Sequence, residues 1–383
     1  MKYIDEFRQQ ALAERLALAI RSEADTDRRY NLMEFCGGHT HAIFRYGIQQ
    51  LMPENLRFVH GPGCPVCVLP VGRIDNAIQL VTQHEVILCT YGDLLRVPAS
   101  GRKSLLKVRA EGADVRMVYS TQDALQVARD NPDREVVFFA IGFETTTPPT
   151  AVAIKQAQAE GLENFTAFCN HVLTPAAMRA ILESGDPVEI DGFLGPSHVS
   201  TLIGSQPYEA FAEQYRKPIV IAGFEPLDVM QSALMLVRQL NQGLYGVENE
   251  YTRAVSREGN RKAQAVVAEV FETRPVFEWR GLGLVADSAL RIREEFSRFD
   301  TERRFEVPRI EASDIKGCEC PDILRGLKRP VECKLFGVVC TPENPMGSCM
   351  VSSEGACAAY WSYGRLAEPE RVSNTSGNSE SAA

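Results

Sequence analysis

The sequence has no long apolar run. Stretches such as Val136–Gly142 stop well short of the roughly 20 residues that a membrane-spanning helix needs. Positive charge is also in deficit: 50 acidic against 41 basic side chains leave a net charge of −9. That balance argues against nucleic acid or an anionic membrane as the main partner and leaves protein partners open. An apolar signal core is lacking as well, with Asp5, Glu6 and Arg8 inside the first turns, so a cytoplasmic location is expected.

What is present reads as globular and turn-rich: 45% hydrophobic, 24% charged, with 28 Gly and 21 Pro. A chain of 383 residues predicts two or three domains. Its eleven cysteines, in a large chain with no secretory signature, point to metal ligands or redox thiols rather than a disulfide framework. Six of them (Cys318, Cys320, Cys333, Cys340, Cys349 and Cys357) fall within residues 318–357. Cys36, Cys64 and Cys67 lie in Gly- and His-rich loops, whereas Cys89 and Cys169 sit in apolar runs and read as inert core residues.

Periodicity predicts an amphipathic helix over 4–21, then strands alternating with helices: strands at 30–35, 56–60, 85–91, 135–142, 165–169 and 218–223. A further βα unit spans 191–204. Such alternation favours parallel sheets covered on both faces. An echo between F-F-A-I-G-F-E-T (138–145) and V-I-A-G-F-E-P-L (220–227) points to two α/β units of similar build facing a cleft, the plainer alternative being that parallel strands often end in Gly-rich turns. The expected division is 1–125 and 126–250 for these units, 251–366 for connecting helices and a small Cys-rich iron–sulfur domain, and 367–383 for a disordered tail. Loops after the strands would line the cleft, bringing in Glu144, His198 and Glu225. For each of these three the plainer alternative is a helix cap or a satisfied hydrogen-bond partner.

Three constellations carry chemistry. Cys318, Cys333, Cys340 and Cys357 stand in a C-x14-C-x6-C-x16-C pattern, with Cys320 and Cys349 as alternates and no histidine among them. Four soft thiolates suit a cubane iron–sulfur cluster; structural zinc is the rival, although its usual paired Cys-x-x-Cys knuckles are absent here. G-P-G-C-P-V-C (61–67) offers Cys64 and Cys67 as a dithiol/disulfide couple, with half a zinc site as the alternative. E-F-C-G-G-H-T-H (34–41) leaves Cys36 at a tight turn beside His39 and His41. There it can serve as nucleophile or metal ligand, or as a buried structural thiol with a histidine capping the next helix.

Read together, these motifs resemble the HypD family of [NiFe]-hydrogenase maturation proteins. The resemblance rests on E-F-C-G-G-H-T-H (34–41), H-G-P-G-C-P-V-C (60–67), Y-G-D-L-L-R-V-P (91–98), I-G-F-E-T-T (141–146), G-P-S-H-V-S (195–200), I-A-G-F-E-P-L-D (221–228) and the run from Leu335 to Tyr360. It implies a scaffold that, with the small partner HypC, holds iron while cyanide and carbon monoxide ligands are attached. Cyanide would come from HypE as a thiocyanate, and the finished unit would pass to the hydrogenase large subunit. Carried over by motif, Cys36 would bind that iron with His39 beside it, and Cys64 and Cys67 would be the redox pair. Cys318, Cys333, Cys340 and Cys357 would hold a [4Fe-4S] cluster. Two other readings compete: a thiol–disulfide oxidoreductase with a structural cluster or zinc, and a zinc-stabilised interaction module.

Overall fold

Alternate residues of one apolar run serve two different cores. In Val136–Gly142, Val137, Phe139 and Ile141 enter a central apolar cluster, while Val136, Phe138 and Ala140 enter an outer one. This is the strand's period of two acting in a sheet covered on both faces. The computed structural model describes residues 5–185 and 189–364. In chain order its strands are β1 (Tyr30–Glu34), β2 (Leu56–His60), β3 (Ile87–Thr90), β4 (Val115–Met117), β5 (Val136–Gly142) and β6 (Phe165–His171). Then follow β7 (Gly192–Gly195), β8 (Ile219–Ile221), β9 (Val247–Asn249), β10 (Phe271–Trp279) and β11 (Gly283–Ile292).

Two parallel sheets result, ordered β2-β1-β7-β8-β9 and β4-β3-β5-β6. In each, the first strand in sequence lies inside, the second goes to its outer edge, and the third and fourth extend the other side. The similar build expected from the sequence echo is therefore present in the strand order. The boundary near residue 125 is not: β3–β6 form the second sheet as an insertion between β2 and β7 of the first. Both sheets show the same strand–helix alternation, so nothing in composition marks where the chain leaves one and enters the other.

The expected connecting helices after residue 251 are also corrected. Helix Arg261–Val270 is present, but it leads into an antiparallel hairpin of β10 and β11. Pro275 falls at the register shift between Arg274 and Val276, where a residue with no N–H to donate is tolerated. The opening helix runs Gln10–Glu23, and the stretch 367–383 lies outside the described residues.

Residues from both sheets and from the Cys-rich region share the central core. Met33, Phe193 and Ile219 meet it from one sheet, Val137 and Phe168 from the other, and Cys320, Cys349 and Met350 from the C-terminal region. The cysteines thus extend a large core rather than replace one. The carboxyl ends of the two sheets meet where helix Ser197–Ile203, after β7, packs on Glu144–Thr146, after β5. Among the described residues no helix is long and apolar enough to cross a membrane.

Candidate functional site

In the first sheet the strand order reverses direction between β1 and β7, and open α/β sheets bind ligands at such a point. Cys36 follows β1 and is the N-cap residue of helix Gly37–Arg45. His198 follows β7, and its Nδ1 lies 3.8 Å from the Cys36 sulfur. The outer side of His198 faces solvent while Cys36 is buried. The turn itself is held by Glu34, the last residue of β1. Its buried carboxylate accepts from Cys36 N at 3.0 Å and from the Thr40 hydroxyl, and lies 2.8 Å from His60 Nδ1.

Burial pushes the Cys36 thiol up to about 12, with Glu354 and Glu34 adding to the effect and amides of Gly38 and His198 opposing it. Glu354 belongs to the Cys-rich region, and a Cβ on Gly37 would collide with its side chain. Its own carboxyl is raised by burial and by the nearby charges of Asp93 and Glu34. A buried thiol ringed by carboxylates is poorly ionised when alone and well placed to receive a cation, which supplies the charge the site lacks. Glu354 lies in the run from Leu335 to Tyr360, but its approach to Cys36 is a tertiary contact between distant segments that no motif reveals.

His39 is fully buried and kept below its ordinary value by that burial. Its Nε2 lies 3.1 Å from the carbonyl oxygens of Ala222 and Gly223, so the N–H there donates to backbone, and Nδ1 has no partner among the described residues. The rings of His39 and His198 both lie against Phe224, with centroids 5.2 and 4.2 Å away. His41 instead packs on Tyr363 and stands apart. Of the other loop residues, Glu144 receives the backbone N–H and hydroxyl of Thr174 at the start of helix Thr174–Glu183, and burial lifts it to about 7. Glu225 is the N-cap of helix Pro226–Gln242 and is paired with Arg8. Both act as caps, the plainer of the two sequence readings.

Cys64 and Cys67 are joined as a disulfide with Cα atoms 5.2 Å apart. Cys64 is the N-cap of the short helix Pro65–Val68, its sulfur accepting from Cys67 N at 3.2 Å. One side of the disulfide loop backs onto Cys36: a Cβ on Gly63 would lie 2.5 Å from Cys36 N. On the other side, Ser348 donates its hydroxyl to the Cys67 carbonyl at 3.0 Å, and Cys67 Sγ lies 3.9 Å from Ser348 O.

Next to Ser348 the C-terminal sulfurs gather. Cys320, Cys349 and Cys357 lie close enough to shift one another's ionisation, and Cys318 is shifted by Cys320 in the same way. Cys340 feels the charges of Cys320 and Cys318, and its sulfur accepts from Met346 N at 3.4 Å. Gly347 has no room for a side chain, since a Cβ would lie 2.5 Å from Cys318 Sγ and 2.6 Å from Cys320 Sγ. The neighbouring thiols of Cys320 and Cys357 hold Cys349 below its ordinary value, while Cys357 is raised well above its own. Cys333 is also buried and helps hold down the Glu319 carboxylate rather than acting on the other thiols. Among the described residues no three His, Cys, Asp or Glu side chains close round one point as a single-ion cage would. The donor set is nonetheless all sulfur, which suits iron–sulfur chemistry.

A family model described as "HypD: Hydrogenase formation hypA family" matches residues 11–364. The chain belongs to the HypD family. It is 65% identical to "Hydrogenase expression/formation protein HupD" of Azotobacter chroococcum mcd 1, over 95% of this chain and 97% of that protein. To "Hydrogenase maturation factor HypD" of Azotobacter vinelandii it is 64% identical, with 95% and 97% covered. To that of Escherichia coli (strain K12) it is 46% identical, with 95% and 98% covered. Membership in HypD places the chain among hydrogenase maturation proteins, as the motifs at Cys36, Cys64 and Cys357 implied.

Proposed function

We propose that this chain holds an iron atom on Cys36 while cyanide and carbon monoxide ligands are attached to it, and that Cys64 and Cys67 supply electrons for the cyanide step. The observation that carries this reading is the continuous series of contacts from Cys36 through Gly63 and the Cys64–Cys67 disulfide to Ser348 and Cys349. A metal anchor, a two-electron couple and an all-sulfur donor set lie along one path.

The electron count fits. Releasing cyanide from a thiocyanate gives a thiolate and a cyanide ion and consumes two electrons. Oxidation of the Cys64/Cys67 dithiol to the disulfide delivers two electrons and two protons. A [4Fe-4S] cluster held by Cys318, Cys333, Cys340 and Cys357, with Cys320 and Cys349 as alternates, would return electrons to the disulfide one at a time. The chain's own residues do the rest. Cys36 anchors low-spin iron with a soft anionic donor, and His198 lies ready to accept the thiol proton. Glu34 fixes the turn. The partners of this reading are HypC, sharing the iron from its own side, HypE as the thiocyanate donor, and the hydrogenase large subunit as the final acceptor.

Burial speaks against the oxidoreductase alternative. Cys64 is 3% exposed and Cys67 is 0% exposed, so a protein thiol has no approach to either sulfur. The test is Cys64→Ala in the complex with HypC, read by infrared bands of bound cyanide and carbon monoxide. Loss of the cyanide bands with the cluster absorption retained is expected; full loading would overturn the redox role.

A further inference from the structure

The tip of the β10–β11 hairpin buries a charge that the described residues leave without hydrogen bonds. The side chain of Arg280 is 2% exposed, yet among the described residues Nε, Nη1 and Nη2 find no hydrogen-bond partner. Asp314 lies beside it, with Oδ1 3.2 Å from Nε, but is itself 22% exposed and out of hydrogen-bond alignment. A guanidinium in an apolar interior is costly unless something anionic takes up its charge and its N–H groups.

Its position says what that something is. Arg280 N donates to Val68 O at 2.8 Å, on the helix that carries Cys67. At the adjacent Gly281, whose φ is +86°, a Cβ would lie 3.1 Å from the Cα of Pro321, the residue after Cys320. The guanidinium charge acts on Cys349, at the centre of the sulfur group. Arg280 thus sits between the disulfide helix and the thiols, with donors to spare and no access to solvent.

We propose that Arg280 is the buried counter-cation of a thiolate-bound iron–sulfur cluster, donating its free N–H groups to sulfur and holding the cluster's reduction potential up. The inference rests on the cluster reading of the C-terminal cysteines. A reduced cluster carries one more negative charge than an oxidised one, so a fixed cation and N–H···S hydrogen bonds stabilise the reduced form more. Arg280 is then a positioning residue for electron delivery to Cys64 and Cys67, touching the donor side of the route rather than the iron at Cys36.

The test uses the anaerobically purified full chain, Arg280→Gln and Asp314→Asn, with iron and zinc analysis and a redox titration of the cluster followed by electron paramagnetic resonance. Arg280→Gln is expected to keep its iron and shift to a more negative potential. Asp314→Asn, which removes the competing anion, is expected to shift to a more positive one. If both titrate with the wild type, the role of Arg280 is overturned. Should Arg280→Gln fail to assemble, the direction of the Asp314→Asn shift decides alone. A wild-type chain carrying zinc and no iron would overturn the cluster reading itself, an outcome distinct from an unmoved potential.

Discussion

The sulfur of Cys36 and Nδ1 of His198 lie 3.8 Å apart, although the two residues follow strands separated by an entire inserted sheet. Burial keeps His198 below its ordinary value, with His39 adding to the effect, so near neutral pH its ring is uncharged and able to accept a proton. Binding a metal at Cys36 means losing the thiol proton. Replacing His198 with Ala is expected to slow iron uptake at Cys36 on the order of 10²-fold, the usual worth of a positioned proton acceptor. Stopped-flow uptake of Fe(II) by the chain with HypC measures it. A wild-type rate in His198→Ala would remove this role.

Gly63 is the tightest joint between the disulfide loop and Cys36. A Cβ there would lie 2.5 Å from Cys36 N and 2.7 Å from Cys36 Cα, both backbone atoms that no side-chain rotation can move aside. Gly63→Ala is therefore expected to displace Cys36 and destabilise the chain by about 1–3 kcal/mol, as overpacking does. Urea unfolding checks the energy and iron binding checks the displacement. Unchanged values in both would mean that the loop yields more easily than its contacts suggest.

Iron content tests the proposed cluster and its ligands. The motif resemblance names Cys333, whereas the sulfur contacts bring Cys320 and Cys349 together with Cys318, Cys340 and Cys357. Cys333→Ala is expected to bleach the brown absorption of a cubane and lose its iron, while Cys349→Ala keeps both. The reverse pattern would assign Cys349 as the ligand.

Much of this site was legible because parallel strands end in binding loops. Cys36, Cys64 and His198 each follow an apolar run, and the switch between β1 and β7 brings Cys36 and His198 together. Glu354 and Arg280 were not legible, since each owes its place to packing between distant segments; Glu354 falls in the run from Leu335 to Tyr360, but its approach to Cys36 cannot be read from that run. Glu144 and Glu225 were ambiguous for another reason: a carboxylate after a strand has the same local sequence whether it caps the next helix or faces a ligand. Only its hydrogen bonds decide. The domain boundary failed because strand order is a non-local property. The hairpin was missed because Pro275 interrupts the alternation of β10.

Glu302 gives the fold a specific sensitivity to acid. It lies in helix Thr301–Arg304 and takes Arg73 Nη1 at 2.6 Å and the guanidinium of Arg274 from β10. Arg73 in turn donates to Cys169 O at 3.0 Å, so one carboxylate ties the hairpin to helix Val71–Gln83 and to β6. Burial alone would raise Glu302, but Arg73 and Arg274 together hold it down from 4.5 to about 2. A folded value below the unfolded one stabilises the native chain at neutral pH. That contribution is lost as pH falls from about 4.5 toward 2. The difference corresponds to about 3 kcal/mol. Glu302→Gln, which leaves two half-buried guanidinium groups without their counter-charge, is expected to cost roughly 3 kcal/mol at neutral pH. It should also flatten the acid dependence of stability below about pH 4.5. Urea midpoints measured for both chains at neutral pH and at about pH 3 test this. If the variant lost stability with acid as steeply as the wild type, the sensitivity would have to arise from another carboxylate.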